Sequence, residues 1–166
     1  SGLARAQQAA ARVATRFGVR TIDVATVARF AQEMTRRTLY LFDVRSPEEY
    51  AAGHLHSTVN APGGQLVQAT DAFAATRNAR IVLIDDNGVR ATMTASWLIQ
   101  MGWKDVYVVR DALESGPLLR GLPEPEVLGL EQVRCDYITA QDLNHELDAG
   151  NATVLDFDTS LRETEG

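Results

Sequence analysis

Residues 85–90, Asp85-Asp86-Asn87-Gly88-Val89-Arg90, put two carboxylates, a glycine and an arginine directly after the apolar run Ile81-Val82-Leu83-Ile84. A helical stretch follows. A polar loop between the carboxyl end of a buried strand and the amino end of a helix is where parallel α/β proteins bind anions or display a catalytic side chain. Unpaired amides and the helix dipole favour negative charge there. Asp85 stands where a nucleophile would stand. Its carboxylate can supply that charge itself, so the loop keeps its shape and loses its vacancy. A small anion is the other occupant expected at the 85–90 loop.

Three further groups could do chemistry. Asp43, Arg45 and Glu49 follow a second apolar run and could be catalytic partners, but a structural role is favoured. His54 and His56 form a His-x-His pair without cysteine or carboxylate spacing nearby. That pattern is weak for a metal, and a hydrogen-bonded scaffold role is favoured for His54. Cys135, the single cysteine, lies in an extended stretch with only Arg134 beside it, and reads as an incidental thiol. No metal and no cofactor is expected.

These side chains need elements to position them. Leu39-Tyr40-Leu41-Phe42, Ile81–Ile84 and Val106-Tyr107-Val108-Val109 are continuous apolar runs, the pattern of strands buried on both faces in a parallel sheet. A helix is predicted from about Arg90 to Met101, ended by Gly102, with Ala91, Ala95, Leu98 and Gly102 along one side. Another is predicted after the N-cap Asp23, with Val24, Val27, Ala28, Ala31 and Met34 at helical spacing. Residues 3–16 favour helix but show no strong apolar stripe. Residues 1–20 therefore read as a linker helix or the tail of a preceding domain, and 21–123 as the main domain.

Pro123-Glu124-Pro125-Glu126 opens a linker over 124–136, since two prolines in three residues cannot continue regular structure. The pattern then begins again. Ile138–Leu143 echoes Ile22–Val27, and Val154-Leu155-Asp156-Phe157-Asp158 echoes Leu41–Arg45 at similar spacing. Residues 137–166 read as the truncated start of a second domain. The opening Ser1-Gly2, without methionine, reads as an expression remnant or the start of a piece excised from something longer. Composition is that of an ordinary globular chain, 45% hydrophobic and 23% charged, with a formal charge of −6. That charge argues against nucleic acid and anionic membranes as partners. No run is apolar enough to span a bilayer, and a cytoplasmic location is expected.

Asp43-Val44-Arg45-Ser46-Pro47-Glu48-Glu49-Tyr50 resembles the Asp-x-Arg-x-x-x-Glu-Tyr/Phe signature of the rhodanese family of sulfurtransferases. Gly53-His54-Leu55 and Asn60-Ala61-Pro62 resemble its Gly-His-Ile-x-Gly-Ala-x-Asn-x-Pro turn, with His56, Ser57 and Thr58 as departures. The resemblance implies a three-layer α/β fold: a five-stranded, mostly parallel sheet with helices on both faces. In active members the loop reads Cys-x-x-Gly-x-Arg. Here Gly88, Arg90 and the loop length are retained, and Asp85 replaces the cysteine. Arg110-Asp111 replaces two glycines usual after the last main strand, so that turn is expected to be rebuilt.

Sulfur transfer needs a thiolate that attacks the donor's outer sulfur and carries it as a persulfide, which a carboxylate cannot do. The resemblance thus implies a noncatalytic domain of a multidomain thiosulfate sulfurtransferase, partnered by neighbouring rhodanese domains of the same chain. Two alternatives stand beside it. One is an independent, phosphatase-like enzyme using Asp85 or Asp86. Asp156-Phe157-Asp158-Thr159-Ser160-Leu161 offers a related motif, resembling the nucleophile segment of haloacid-dehalogenase-type phosphatases but lacking its glycine. The other is a module that recognises a protein through the loop face.

Overall fold

The computed structural model describes residues 2–123, 129 and 133–155. The chain divides into two compact units, one over Ser1–Pro123 and one over Glu124–Gly166. Five strands form the sheet of the first unit: β1 (Arg20–Ile22), β2 (Leu39–Asp43), β3 (Val59–Asn60), β4 (Arg80–Ile84) and β5 (Val106–Val109). Their order is β1-β5-β4-β2-β3, and every neighbouring pair is parallel. The three strands expected from apolar runs are the central ones. They need apolar residues on both faces because helices cover both.

Alternate residues of β4 show this directly. Ile81 and Leu83 pack with Phe42, Leu66, Ala91, Ala95 and Leu98 on one face, whereas Val82 and Ile84 pack with Leu39, Val109 and Ala112 on the other. The first face is covered by α4 (Gly63–Gln68) and α6 (Val89–Gln100), and the second by α2 (Val24–Gln32). Two short helices, α3 (Pro47–Ala52) and α5 (Thr70–Phe73), complete the connections around β3.

The helix α1 (Gly2–Phe17) packs on α6 within this unit. Its less exposed positions are Ala6, Ala9, Ala10, Val13, Ala14 and Phe17, a helical stripe that the sequence reading passed over. Alanines carry little hydropathy, but they allow the close helix contact that buries Ala10. Asp23 caps α2 as expected, accepting from the Thr26 amide at 2.8 Å. The inward stripe differs from the expected one. Val27 and Phe30 face the core, while Val24, Ala28, Ala31 and Met34 are exposed. Helix α6 runs one residue earlier than expected, and Gly102 (φ 98°) is an exposed stop beyond it.

In the second unit, α7 (Ala140–Asp148) is capped by Thr139, whose hydroxyl accepts from the Asp142 amide. This start repeats that of α2, in line with the sequence echo. Residues 151–155 carry no regular structure, so no strand is seen at Val154-Leu155. Asp156, Phe157 and Asp158, and the phosphatase-like motif built on them, lie outside the described residues.

Candidate active-site loop

The order β1-β5-β4-β2-β3 sends the chain from β2 towards β3 and from β4 towards β5, in opposite directions along the sheet. The loops after β2 and β4 therefore part at their carboxyl ends, where open α/β sheets leave a crevice. Register sets Asp43 opposite Ile84, which places Arg45 and Glu49 beside the 85–90 loop.

After β2, Asp43 is fully buried and holds Arg45 in a fork, with Nη2 donating to Oδ2 at 2.6 Å and Nε to Oδ1 at 2.9 Å. Arg45 Nη2 also donates to the Gly53 carbonyl at 2.7 Å, tying the loop after β2 to the turn after α3. The bond to Asp43 raises the guanidinium's proton affinity further. Ser46 and Glu49 form a reciprocal capping box around Pro47, which fixes α3. Glu49 in addition binds Arg90 with both oxygens, at 2.5 Å to Nη1 and 2.9 Å to Nη2. Those bonds from Arg90, aided by the Ser46 amide, hold the Glu49 carboxyl down at about 2.

His54 is buried. Its Nδ1–H donates to the Tyr50 carbonyl at 2.9 Å, and its ring stacks on Tyr50 at 3.8 Å. Because a carbonyl only accepts, Nδ1 must carry the proton. Tyr50 in turn donates to the Thr58 carbonyl at 2.6 Å. His56 instead meets the Ser57 hydroxyl at 2.6 Å. Among the described residues no group of three histidine, cysteine or acidic side chains is arranged to hold a metal. Cys135 is exposed and belongs to the second unit.

At the end of β4 the carboxylate of Asp85 turns inward, with the residue 4% exposed. Oδ1 accepts from the Gly88 amide at 2.7 Å and Oδ2 from the Ala91 amide at 3.1 Å. Burial pushes this carboxyl above the usual range, and the Ala91 and Gly88 amides offset part of that cost. Gly88 adopts the left-handed conformation (φ 79°) that turns its amide back to Asp85. Asn87 Oδ1 accepts from the Val89 amide at 3.0 Å. Arg90 spans Glu49 on one side and Asp86 on the other, at 2.8 Å to Oδ1. A residue unforeseen in sequence joins here: Gln7 of α1 donates to the Asn87 carbonyl at 3.2 Å. Residues 80 apart meet because α1 packs on α6.

The residues 26–115 match the rhodanese-like domain family. The chain belongs to that family. Its rhodanese fold is also seen in the crystal structure of thiosulfate sulfurtransferase from Pseudomonas aeruginosa, at 49% identity over 86% of this chain, with a TM-score of 0.67. The chain spans 26% of that protein's length. A Rhodopseudomonas palustris protein of unknown function, a possible tyrosine phosphatase, shares the fold at 17% identity and a TM-score of 0.53, covering 72% of this chain and 95% of its own. The tRNA uridine(34) hydroxylase of Buchnera aphidicola is 29% identical over 77 residues, 44% of this chain and 25% of its own.

The departures from the rhodanese turn signature have a clear backbone outcome. Ser57, where the signature has glycine, takes φ 65°, and Asp111, at the second of the two usual glycines, takes φ 51°. Both positions adopt the left-handed region that glycine enters freely. Among the described residues, no helix is long and apolar enough to cross a membrane.

Proposed function

We propose that this chain is a noncatalytic rhodanese-like unit of a longer, cytoplasmic thiosulfate sulfurtransferase. Its role would be structural or regulatory, or to help form the donor site, beside a neighbouring domain that carries the nucleophile. The observation that supports this most is the seat of Asp85. Its two oxygens take the Gly88 and Ala91 amides, the donors a thiolate or persulfide at this position would use. The likeness to the P. aeruginosa thiosulfate sulfurtransferase, of which this chain spans about a quarter, supports the multidomain setting. Phosphoryl transfer to an aspartate is disfavoured by the same geometry. Asp85 is buried with both oxygens bonded, and Asp86 is tied to Arg90.

The test is thiosulfate:cyanide sulfurtransferase activity of the chain, with an active relative as positive control. No thiocyanate is expected. Turnover that survives Cys135→Ser would overturn the proposal, because no other thiol exists in the chain. In the encoding gene, a neighbouring domain with Cys-x-x-Gly-x-Arg is expected.

A further inference from the structure

Asp85 is not the only acidic residue set against an anion at this loop. Arg90 binds Glu49 through both terminal nitrogens, and Nη2 gives its second N–H to Asp86. Glu49 and Arg90 both fall on the resembled signatures. Asp86 falls on an unspecified position of Cys-x-x-Gly-x-Arg, and it meets Arg90 at 2.8 Å. The result is a loop in which one guanidinium is shared by two carboxylates, those of Glu49 and Asp86, while the Asp85 carboxylate takes the Gly88 and Ala91 amides.

We propose that Asp86 is a second, independent determinant of the silent loop, which repels a small sulfur oxyanion and withholds Arg90 from it whether or not residue 85 can bond sulfur. This rests on the reading that the loop is a retained sulfurtransferase cradle. Asp86 acts through Arg90 and through its charge, and is a positioning residue. Its side chain is 44% exposed whereas Asp85 is 4% exposed, and both line the same cavity at the loop. The charge of Asp86 also adds to the upward push on the Asp85 carboxyl, after burial.

The experiment restores the nucleophile and then relieves the second block. In a Cys135→Ser background, Asp85→Cys is compared with Asp85→Cys/Asp86→Asn and Asp85→Cys/Asp86→Ala. A thiolate at residue 85 would attack the outer sulfur of thiosulfate. The sulfur–sulfur bond of thiosulfate would break, sulfite would leave with the electron pair, and a persulfide would remain on the protein. Intact mass reads that gain of one sulfur. The double variants are expected to half-load at a thiosulfate concentration about tenfold lower than the single variant, with the gap narrowing as salt is added.

Alkylation by neutral iodoacetamide, followed against pH, reads the thiol directly. The double variants are expected to titrate lower by up to about one unit, equivalent to tenfold in thiolate at a fixed pH. The other charged groups around the loop, Glu49 and Arg90 together with Arg110, Asp111 and Glu114 along the adjoining cavity, are common to all the variants. Arg45, which also feels Asp86, is unchanged as well. If the single variant loads sulfur as readily as both doubles and titrates alike, Asp86 has no such role and the cradle reading stands. If no variant gains sulfur and the thiol reacts like an exposed cysteine, the cradle reading itself fails, and this inference with it.

Discussion

Replacing Asp85 by alanine should destabilise the first unit and leave a site that a small carboxylate can refill. The side chain accepts two amide hydrogen bonds in a buried setting. Charge-assisted bonds of this kind contribute about 1.5–3 kcal/mol each, and the cost of burying the charge offsets a good part. After truncation the Gly88 and Ala91 amides lose their acceptor, at about 1–3 kcal/mol each where water does not reach them. The vacated volume admits water, so the net loss is placed at about 1–3 kcal/mol. Each kcal/mol lowers Tm by about 2–8 °C across domains of 60–250 residues. Formate, which matches the excised group, should restore stability in the alanine variant alone. At a hundred times its Kd the linkage amounts to about 2.7 kcal/mol. Thermal melts of parent and variant in rising formate, against chloride at equal ionic strength, provide the assay. A variant that melts with the parent and ignores formate would show that the carboxylate does not satisfy these amides, and the self-filled loop would be refuted.

The other expectations concern the framework. Glu49, held at about 2 in the folded chain against an ordinary 4.5, adds stability that is full above about 4.5 and is lost as pH falls towards 2. Because the Glu49–Arg90 pair is well exposed, its contribution is discounted to about 1 kcal/mol. Denaturant melts of Glu49→Gln should fall below the parent at pH 7 and converge with it near pH 2, and a constant gap would contradict this. Arg45→Met leaves the fully buried Asp43 charge without its partner and should cost about 3–5 kcal/mol by urea denaturation. A loss under 1 kcal/mol would mean that the Asp43–Arg45 pair does not hold this part of the fold. Ser57→Gly relieves a left-handed residue and should raise stability by up to about 1 kcal/mol, after the greater unfolded-state freedom of glycine is subtracted. A drop in Tm would show that the Ser57–His56 hydrogen bond outweighs the backbone strain.

Much of the central architecture was legible in the chain itself. Strands β2, β4 and β5 announced themselves because residues buried on both faces must be apolar without alternation, and the Asp23 cap located α2. The edge strands did not. Arg20-Thr21-Ile22 and Val59-Asn60 are too short to show a period, and only pairing with β5 and β2 makes them strands. Helix α1 was visible as a helix, but not as part of the unit, because an alanine stripe has little hydropathy and gains its meaning only against α6.

The loop divides the same way. Sequence determined that an aspartate opens the polar loop between a strand and a helix, with Gly88 and Arg90 after it. Tertiary structure alone decided where charges meet: that Asp85 turns inward to the Gly88 and Ala91 amides, that Glu49 pairs with Arg90 from 41 residues away, and that Gln7 reaches Asn87 from 80. Strand register and helix packing set these distances. They arise from the burial of residues all along the sheet, so no local stretch of sequence contains them.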